Sequence, residues 1–588
     1  FAYYCSGHGY GHATRVSALA SHLLRLPEAD RPRIYIVSSA PKHVFSDSVD
    51  LGAVYRNANI DPVIVQPLAY RVDRQQSVAV LKSFLELKDT ILRTERDWLS
   101  EIHADCVLSD SAFIGCLAAT ERGIPSILVT NFTFDSVYSY LATTLVDSPE
   151  QDHFHALVPD IPVSPAELEP LVDQIHTGYR CADLLLRLPG YIPIPAFAKA
   201  PSLPSSEWVD PHTNRFRTHL LTSLAEPPST AILHPSIEYP EPSRKKPVRQ
   251  IIPVPLLVRS PTISVYSPAG RSQLLDSIGI PPHLHDQNLT KILVVSFGGQ
   301  VFRRPSRSGS ATPSKRTSRQ LSPVCGSPSI PNGVEPAHLS RSLPEPHLHI
   351  PASLDSHIDP PSAVTSPRLA TASHLWVPGA PPASKPLTNP TSPRNADIFA
   401  FETVPPTPNL SAGDQPYFDS FEDGFEPEEL PQLLPDETWI AIVCGVSKEQ
   451  WNEHADGDDS DLPDGFFVAP RDVYMPDLTA VGDVLLGKLG YGTVAECVDS
   501  CTPFVYVSRP LFIEEHGLRR LLDHEGVGVE LPRQSYEAGD WAGAIEEAWN
   551  KGKGAKDSKR LDGMAGSGLK KREEEGRELA SMVVRWVR

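Results

Sequence analysis

The chain has 588 residues, 40% of them apolar, and a formal net charge of -19; that is length for two or three domains and a surface that repels nucleic-acid phosphates, so nucleic acid is not an expected partner. Its eight cysteines form no CxxC pair, and Cys497 and Cys501 have no histidine nearby to complete a zinc set, which reads as reduced thiols of a cytoplasmic protein. Its 60 prolines are about twice the usual ~5% share and point to a segment that does not pack.

In chain order, residues 1–5 read as a strand, and 6–12 as a turn rich in glycine and histidine. A helix follows, with Val16, Leu19, Ala20, Leu23 and Leu24 on one face. Because Phe1 already reads as strand, the true N-terminus is expected to be missing. Further strands are expected at 33–38, 63–65, 106–109 and 126–130, with helices at 76–102 and 112–122. Strands alternating with helices predict a parallel, doubly wound sheet. From 193 to 253 proline and serine are frequent and periodicity fades. A strand at 254–259 and a helix at 271–279 lead to a second alternating block. That block opens with a buried strand at 291–297, which ends in Gly298-Gly299-Gln300.

Residues 301–436 are rich in Ser, Pro and Thr and carry little apolar periodicity. Such a segment cannot bury enough apolar surface to offset its ordering entropy and is expected to be disordered. Its front is basic (Arg303, Arg304, Arg307, Lys315, Arg316, Arg319) and its end acidic (Asp419, Glu422, Asp423, Glu426, Glu428, Glu429). Ser/Thr-Pro sites at Thr312, Ser322, Ser327, Ser366, Ser392 and Thr407 offer places for phosphorylation and for partners that read it. Strands resume at 438–444, 466–469, 483–486 and 504–507, and helices close the chain from 536. No apolar run reaches the ~18 residues that span a bilayer. The expected fold is α/β: two Rossmann-like domains, 1–260 and 261–300 with 437–588, the second carrying the insertion.

Four segments carry candidate chemistry. The turn Ser6-Gly7-His8-Gly9-Tyr10-Gly11-His12 joins a strand to a helix, where ligands meet the sheet's carboxyl edge and a helix N-terminus. A neutral imidazole at His8 or His12 can take a proton from a hydroxyl; alternatively, both hydrogen-bond the turn. Gly487-Lys488-Leu489-Gly490-Tyr491-Gly492-Thr493 also follows a strand and opens a helix. Its free N–H groups suit a pyrophosphate, and Glu496 is placed either to hold a ribose diol or to stabilise its own helix. Glu514 and Glu515 either bind sugar hydroxyls or start a helix. Gly298, Gly299 and Gln300 either allow close approach of a ligand or make a tight turn. Asp458-Asp459-Ser460-Asp461 lies in a polar loop and reads as solvated, so no metal site is expected.

Together, the first turn through Arg15, Asn131-Phe132-Thr133-Phe134-Asp135, Phe297-Gly298-Gly299-Gln300, the 487–493 turn and Pro510-Leu511-Phe512-Ile513-Glu514-Glu515 resemble a family. It is the N-terminal glycosyltransferase-like domain of L-arabinokinases. The resemblance covers most of residues 1–190, 254–300 and 437–531. More distantly, the chain is similar to the MurG and plant UDP-glycosyltransferase group of GT-B enzymes. The resemblance implies a GT-B architecture and a nucleotide sugar as substrate, with no cofactor and an unknown acceptor. It places Gly9, Gly11, Arg15, Asn131 and Asp135 on the acceptor side and makes His12 the base or an acceptor-site residue. It implies that Gly490 and Gly492, with Tyr491 and Thr493, hold the donor's pyrophosphate, and that Glu496 holds its ribose. Glu514 and Glu515 stand where MurG-like enzymes carry a glutamine pair on the donor sugar. L-arabinokinases carry a sugar-kinase domain after this region; its Gly-rich ATP loop is not found in this sequence. Two rival readings share the fold: a non-catalytic nucleotide-sugar sensor or scaffold, and a nucleotide-sugar epimerase.

Overall fold

A computed structural model describes residues 1–147, 159–226, 233–240, 246–298, 374–375, 383–384, 431–445 and 463–588. The expected disordered insertion therefore lies outside the described residues, save for a two-residue antiparallel ladder between 374–375 and 383–384 and the segment 431–436. Gly299, Gln300 and Asp458–Asp461 also lie outside the described residues.

The first lobe is a parallel sheet of seven strands: β1 (Ala2–Cys5), β2 (Tyr35–Ser38), β3 (Val54–Asn57), β4 (Val107–Asp110), β5 (Ser126–Thr130), β6 (Leu184–Arg187) and β7 (Gln250–Pro253), in the order β3-β2-β1-β4-β5-β6-β7. The second lobe has six: β8 (Lys291–Ser296), β9 (Trp439–Val443), β10 (Phe466–Val468), β11 (Val484–Lys488), β12 (Phe504–Val507) and β13 (Gly528–Glu530), in the order β10-β9-β8-β11-β12-β13. The same doubly wound order thus occurs twice, and each sheet reverses direction of travel at its first strand. The central strands are buried on both faces, as parallel sheets covered by helices must be: Ala2 to Cys5, Val107 to Asp110 and Ser126 to Thr130 have no exposed surface.

The helices around the two sheets include α1 (Tyr10–Leu24), α2 (Arg74–Glu101), α3 (Phe113–Arg122), α4 (Phe134–Tyr140), α5 (Pro165–Arg180), α6 (Pro268–Ile278), α7 (Met475–Val481), α8 (Tyr491–Ser500), α9 (Glu514–Glu525), α10 (Ala542–Ala565) and α11 (Ser567–Val587). Among the described residues, no helix is long and apolar enough to cross a membrane.

Several elements differ from expectation, each for a local reason. Residues 63–65 are not a strand: Val65 N–H bonds the Ser77 hydroxyl and Val65 C=O accepts from Asp73 N–H, so the run caps the start of α2. The strand expected at 254–259 lies earlier, at β7, because Pro255 cannot donate to the ladder. Val54–Asn57, Leu184–Arg187 and Gly528–Glu530 are strands that periodicity missed. Residues 431–436, assigned to the insertion, already belong to the second lobe, with Leu433 and Leu434 fully buried in its core. The last helix, assigned to the second domain, bonds α8 through Arg572 and Asp499 but lays its apolar face on the first lobe. Leu579, Ala580, Val583 and Val584 share a core cluster with Val16, Leu19 and Leu23 of α1, and Arg588 bonds Asp30 at 2.5 Å.

Candidate functional site

The parallel register Cys5↔Asp110 brings the end of β4 beside the turn that follows β1. Asp110 faces two residues of α1. His12 Nδ1 lies 2.8 Å from Asp110 Oδ1, and the Arg15 guanidinium donates to both oxygens at 2.5 Å. Burial alone would raise the Asp110 carboxyl, but Arg15 and His12 outweigh it and hold it below the ordinary range. The same Nδ1 also lies 3.0 Å from Arg15 Nη2; when it donates to the ionised Asp110, the lone pair is on Nε2. Arg15 also donates to Asn131 Oδ1 at 2.6 Å, and Asn131 Nδ2 donates to Glu514 Oε1 at 3.0 Å. One buried chain of hydrogen bonds therefore runs from His12 in the first lobe to Glu514 in the second.

The turn itself is held by a residue that motif reading passed over. Asp61 accepts from the Ser6 hydroxyl and from Gly7 N–H, and burial pushes its carboxyl up to about 6. His8 stacks on Phe512 with ring centroids 5.8 Å apart and meets Phe134 edge-on at 5.7 Å. Burial first, then His12, Lys488 and Arg509, push its imidazole well below the usual histidine range. His8 is a neutral ring in an aromatic stack, in a different setting from His12.

In the second lobe, α8 starts at Gly490 with no side-chain cap, as α1 does at Gly9. Its first N–H groups are left for another acceptor, and the positive end of its dipole points the same way. Gly490 has open space where a Cβ would stand, and Thr493 is half-exposed in the first turn. Gly492 is different. A Cβ there would lie 3.1 Å from Gly11 Cα and 3.1 Å from Thr14 Oγ1, so Gly11 and Gly492 let the two helix starts touch. Tyr491 is likewise an internal support: its ring lies 4.7 Å under the Arg15 guanidinium and its hydroxyl accepts from Leu257 N–H.

Other expected ligand groups are already engaged. Both oxygens of Glu515 accept from Arg509, at 2.7 and 2.8 Å, and Arg509 also binds the Leu489 carbonyl. Glu515 thus ties the loop after β12 to the turn before α8 through Arg509. Glu496 accepts from Arg259 at 3.1 Å, with burial raising its carboxyl against the pull of that arginine; one oxygen remains. Asp135 is fully buried, accepts from Ser136 N–H and pairs with His176 Nδ1 at 3.0 Å, so it belongs to the packing of α4 on α5. Gly298, at φ 92°, passes over the Lys488 side chain.

Twin doubly wound lobes with paired strand–turn–helix motifs define the GT-B glycosyltransferase fold. No family model matches the chain. It is 24% identical over 553 residues to an L-arabinokinase of Arabidopsis thaliana, a match that takes in 93% of this chain and 32% of that protein. The chain thus spans about a third of the length of the curated relative it matches. Solved structures similar to it include the calicheamicin glycosyltransferase CalG4 (TM-score 0.42, 12% identity, 100% of this chain and 97% of that one). Another is Phytolacca americana UGT2 complexed with UDP-2-fluoro-glucose and pterostilbene (TM-score 0.41, 12% identity, 100% and 99%).

Proposed function

We propose that this chain transfers a sugar from a UDP-type nucleotide sugar to an acceptor hydroxyl. The observation that carries the reading is the His12–Asp110 pair, 2.8 Å apart, set opposite the uncapped start of α8. In this scheme Asp110 fixes the tautomer and stabilises the imidazolium while His12 Nε2 takes the acceptor's proton. The departing diphosphate is received by the N–H groups of α8, whose dipole stabilises the charge that develops as the glycosidic bond breaks. The scheme calls for no cofactor besides the donor.

The test is turnover with a panel of UDP-sugars and small acceptors, read beside stabilisation by the donor. His12→Ala is expected to lower turnover by about 10²–10⁴ and to leave donor stabilisation in place. Asp110→Asn is expected to act in the same direction. Wild-type turnover in His12→Ala sinks the base assignment.

One observation favours a second reading, a nucleotide-sugar binder without turnover. His12 is only 5% exposed, with Phe132 and Phe134 against its ring at 5.5 and 6.1 Å. Donor binding with no transfer to any acceptor supports that reading.

A further inference from the structure

The charged side chains around the two glycine turns are nearly all paired. Arg15 holds Asp110, Arg509 holds Glu515 and Arg259 holds Glu496. Lys488 is the exception: among the described residues its ammonium makes no hydrogen bond and no ion pair. It stands at the end of β11, directly before the open Gly490 and the uncapped start of α8. Its stem runs beneath the Gly298 turn, with Cε 3.3 Å and Nζ 3.7 Å from the place of a Cβ on Gly298. A side chain at 298 would press on it. A half-buried cation with no partner is held at a cost unless an anion arrives.

We propose that Lys488 is the cation that meets the donor's diphosphate, and that it takes up its proton from solvent as the donor binds. The proposal rests on the donor reading given above and adds a control of that site by pH. The charged and titratable groups that face Lys488 are Arg509 from the loop after β12, Glu514 and Glu515 from α9, and His8 from the first lobe's turn. Glu515 is neutralised by Arg509, and Glu514 is turned toward Asn131. His8 is kept uncharged. Burial and then Arg509 push the Lys488 ammonium down to about 7, against the weaker pull of the two glutamates. Above neutrality the empty site therefore holds a neutral amine, and a diphosphate restores the ammonium.

Calorimetric titration of UDP-glucose into the whole chain near pH 8, in buffers of different ionisation enthalpy, counts protons. The sugar nucleotide's diphosphate is fully ionised there and takes up none itself. The expected result is uptake of about one proton per UDP-glucose, with affinity falling up to about tenfold per pH unit as pH rises above the Lys488 value. Lys488→Arg keeps a permanent charge; its proton uptake and the pH dependence are expected to vanish while binding persists. Thermal denaturation of the variant verifies that it folds. Binding without proton uptake in the wild type, or uptake unchanged in Lys488→Arg, overturns the proposal and leaves the donor reading intact. If neither UDP-glucose nor UDP binds even near pH 6.5, the donor reading fails and the proposal falls with it.

Discussion

The two lobes present the same device, a parallel strand that runs through a glycine turn into an uncapped helix, and fill it in opposite ways. Around the first lobe's turn the charges are answered. Asp110 is held by Arg15 and His12, Arg15 by Asn131, and Asp61 ties down the turn backbone. In the second lobe Gly490 stands open and Lys488 has no partner among the described residues. A saturated site fixes the orientation and tautomer of one imidazole. An unsaturated one is prepared to take charge from outside. On the reading proposed above, the difference divides the labour of a transfer: proton acceptance on one side, anion reception on the other.

The contrast breaks most visibly through the two cations. Arg15→Met leaves Asp110 buried with a single histidine as counter-charge, and removing one partner of a buried pair typically costs about 3–5 kcal/mol. Lys488→Met removes a charge that nothing in the described structure satisfies and is expected to cost no stability, while weakening donor binding. Chemical denaturation of both variants decides the matter. Equal losses would mean that the fold depends on Lys488 as much as on Arg15, and the division of labour would fall.

The glycines sharpen the comparison at a smaller scale. Gly492→Ala places a methyl 3.1 Å from Gly11 Cα, where backbone on both sides must yield, and overpacking of that kind costs about 1–3 kcal/mol. Gly490→Ala meets nothing within 4 Å at an extended backbone, φ -136° and ψ 144°, and is expected to change stability by less than about 0.5 kcal/mol. It crowds the mouth of the α8 turn instead, so its effect belongs in donor affinity. The reverse pattern would place the anion seat at Gly492.

Much of this was legible in the sequence, and the remainder was hidden for identifiable reasons. The central strands of both sheets announced themselves as short apolar runs, and β1, β8, β9 and β11 run into glycine as well. Leu184–Arg187 did not, because Leu-rich runs read equally as helix. Arg15 and Asn131 stand in recognisable motifs, yet they face each other across 116 residues of chain, and only topology makes them partners. Asp110 ends a buried strand and carries the signal that was available: an acid at the carboxyl edge of a parallel sheet. Lys488 was read as part of a loop valued for its backbone, and its isolation becomes visible only when its neighbours are seen to be paired with each other. Glu515 and Asp135 fit the expected motifs by position; that Arg509 and His176 are their partners was hidden, because those residues stand outside the motifs.

The last and smallest effect separates the two histidines of the first turn. His8 is held neutral in the fold, whereas in the unfolded chain it titrates near the ordinary value of about 6.5. As pH falls below that value the unfolded state gains a proton that the folded state refuses, so stability declines toward acid. His8→Phe keeps a ring against Phe512 and removes the proton. The difference in stability between the two proteins is expected to be flat above about pH 7.5 and to move in the variant's favour as pH falls below ~6.5. His516, driven down to about 3 by burial, then by Arg519 and Arg215, leaves a residual acid slope in both proteins, so the measurement is the difference between their curves of unfolding free energy against pH. Coincident curves would mean that His8 gains its proton in the folded state as readily as in the unfolded chain, and the contrast drawn between the two histidines would fall; divergence shows that the aromatic stack refuses His8 its proton.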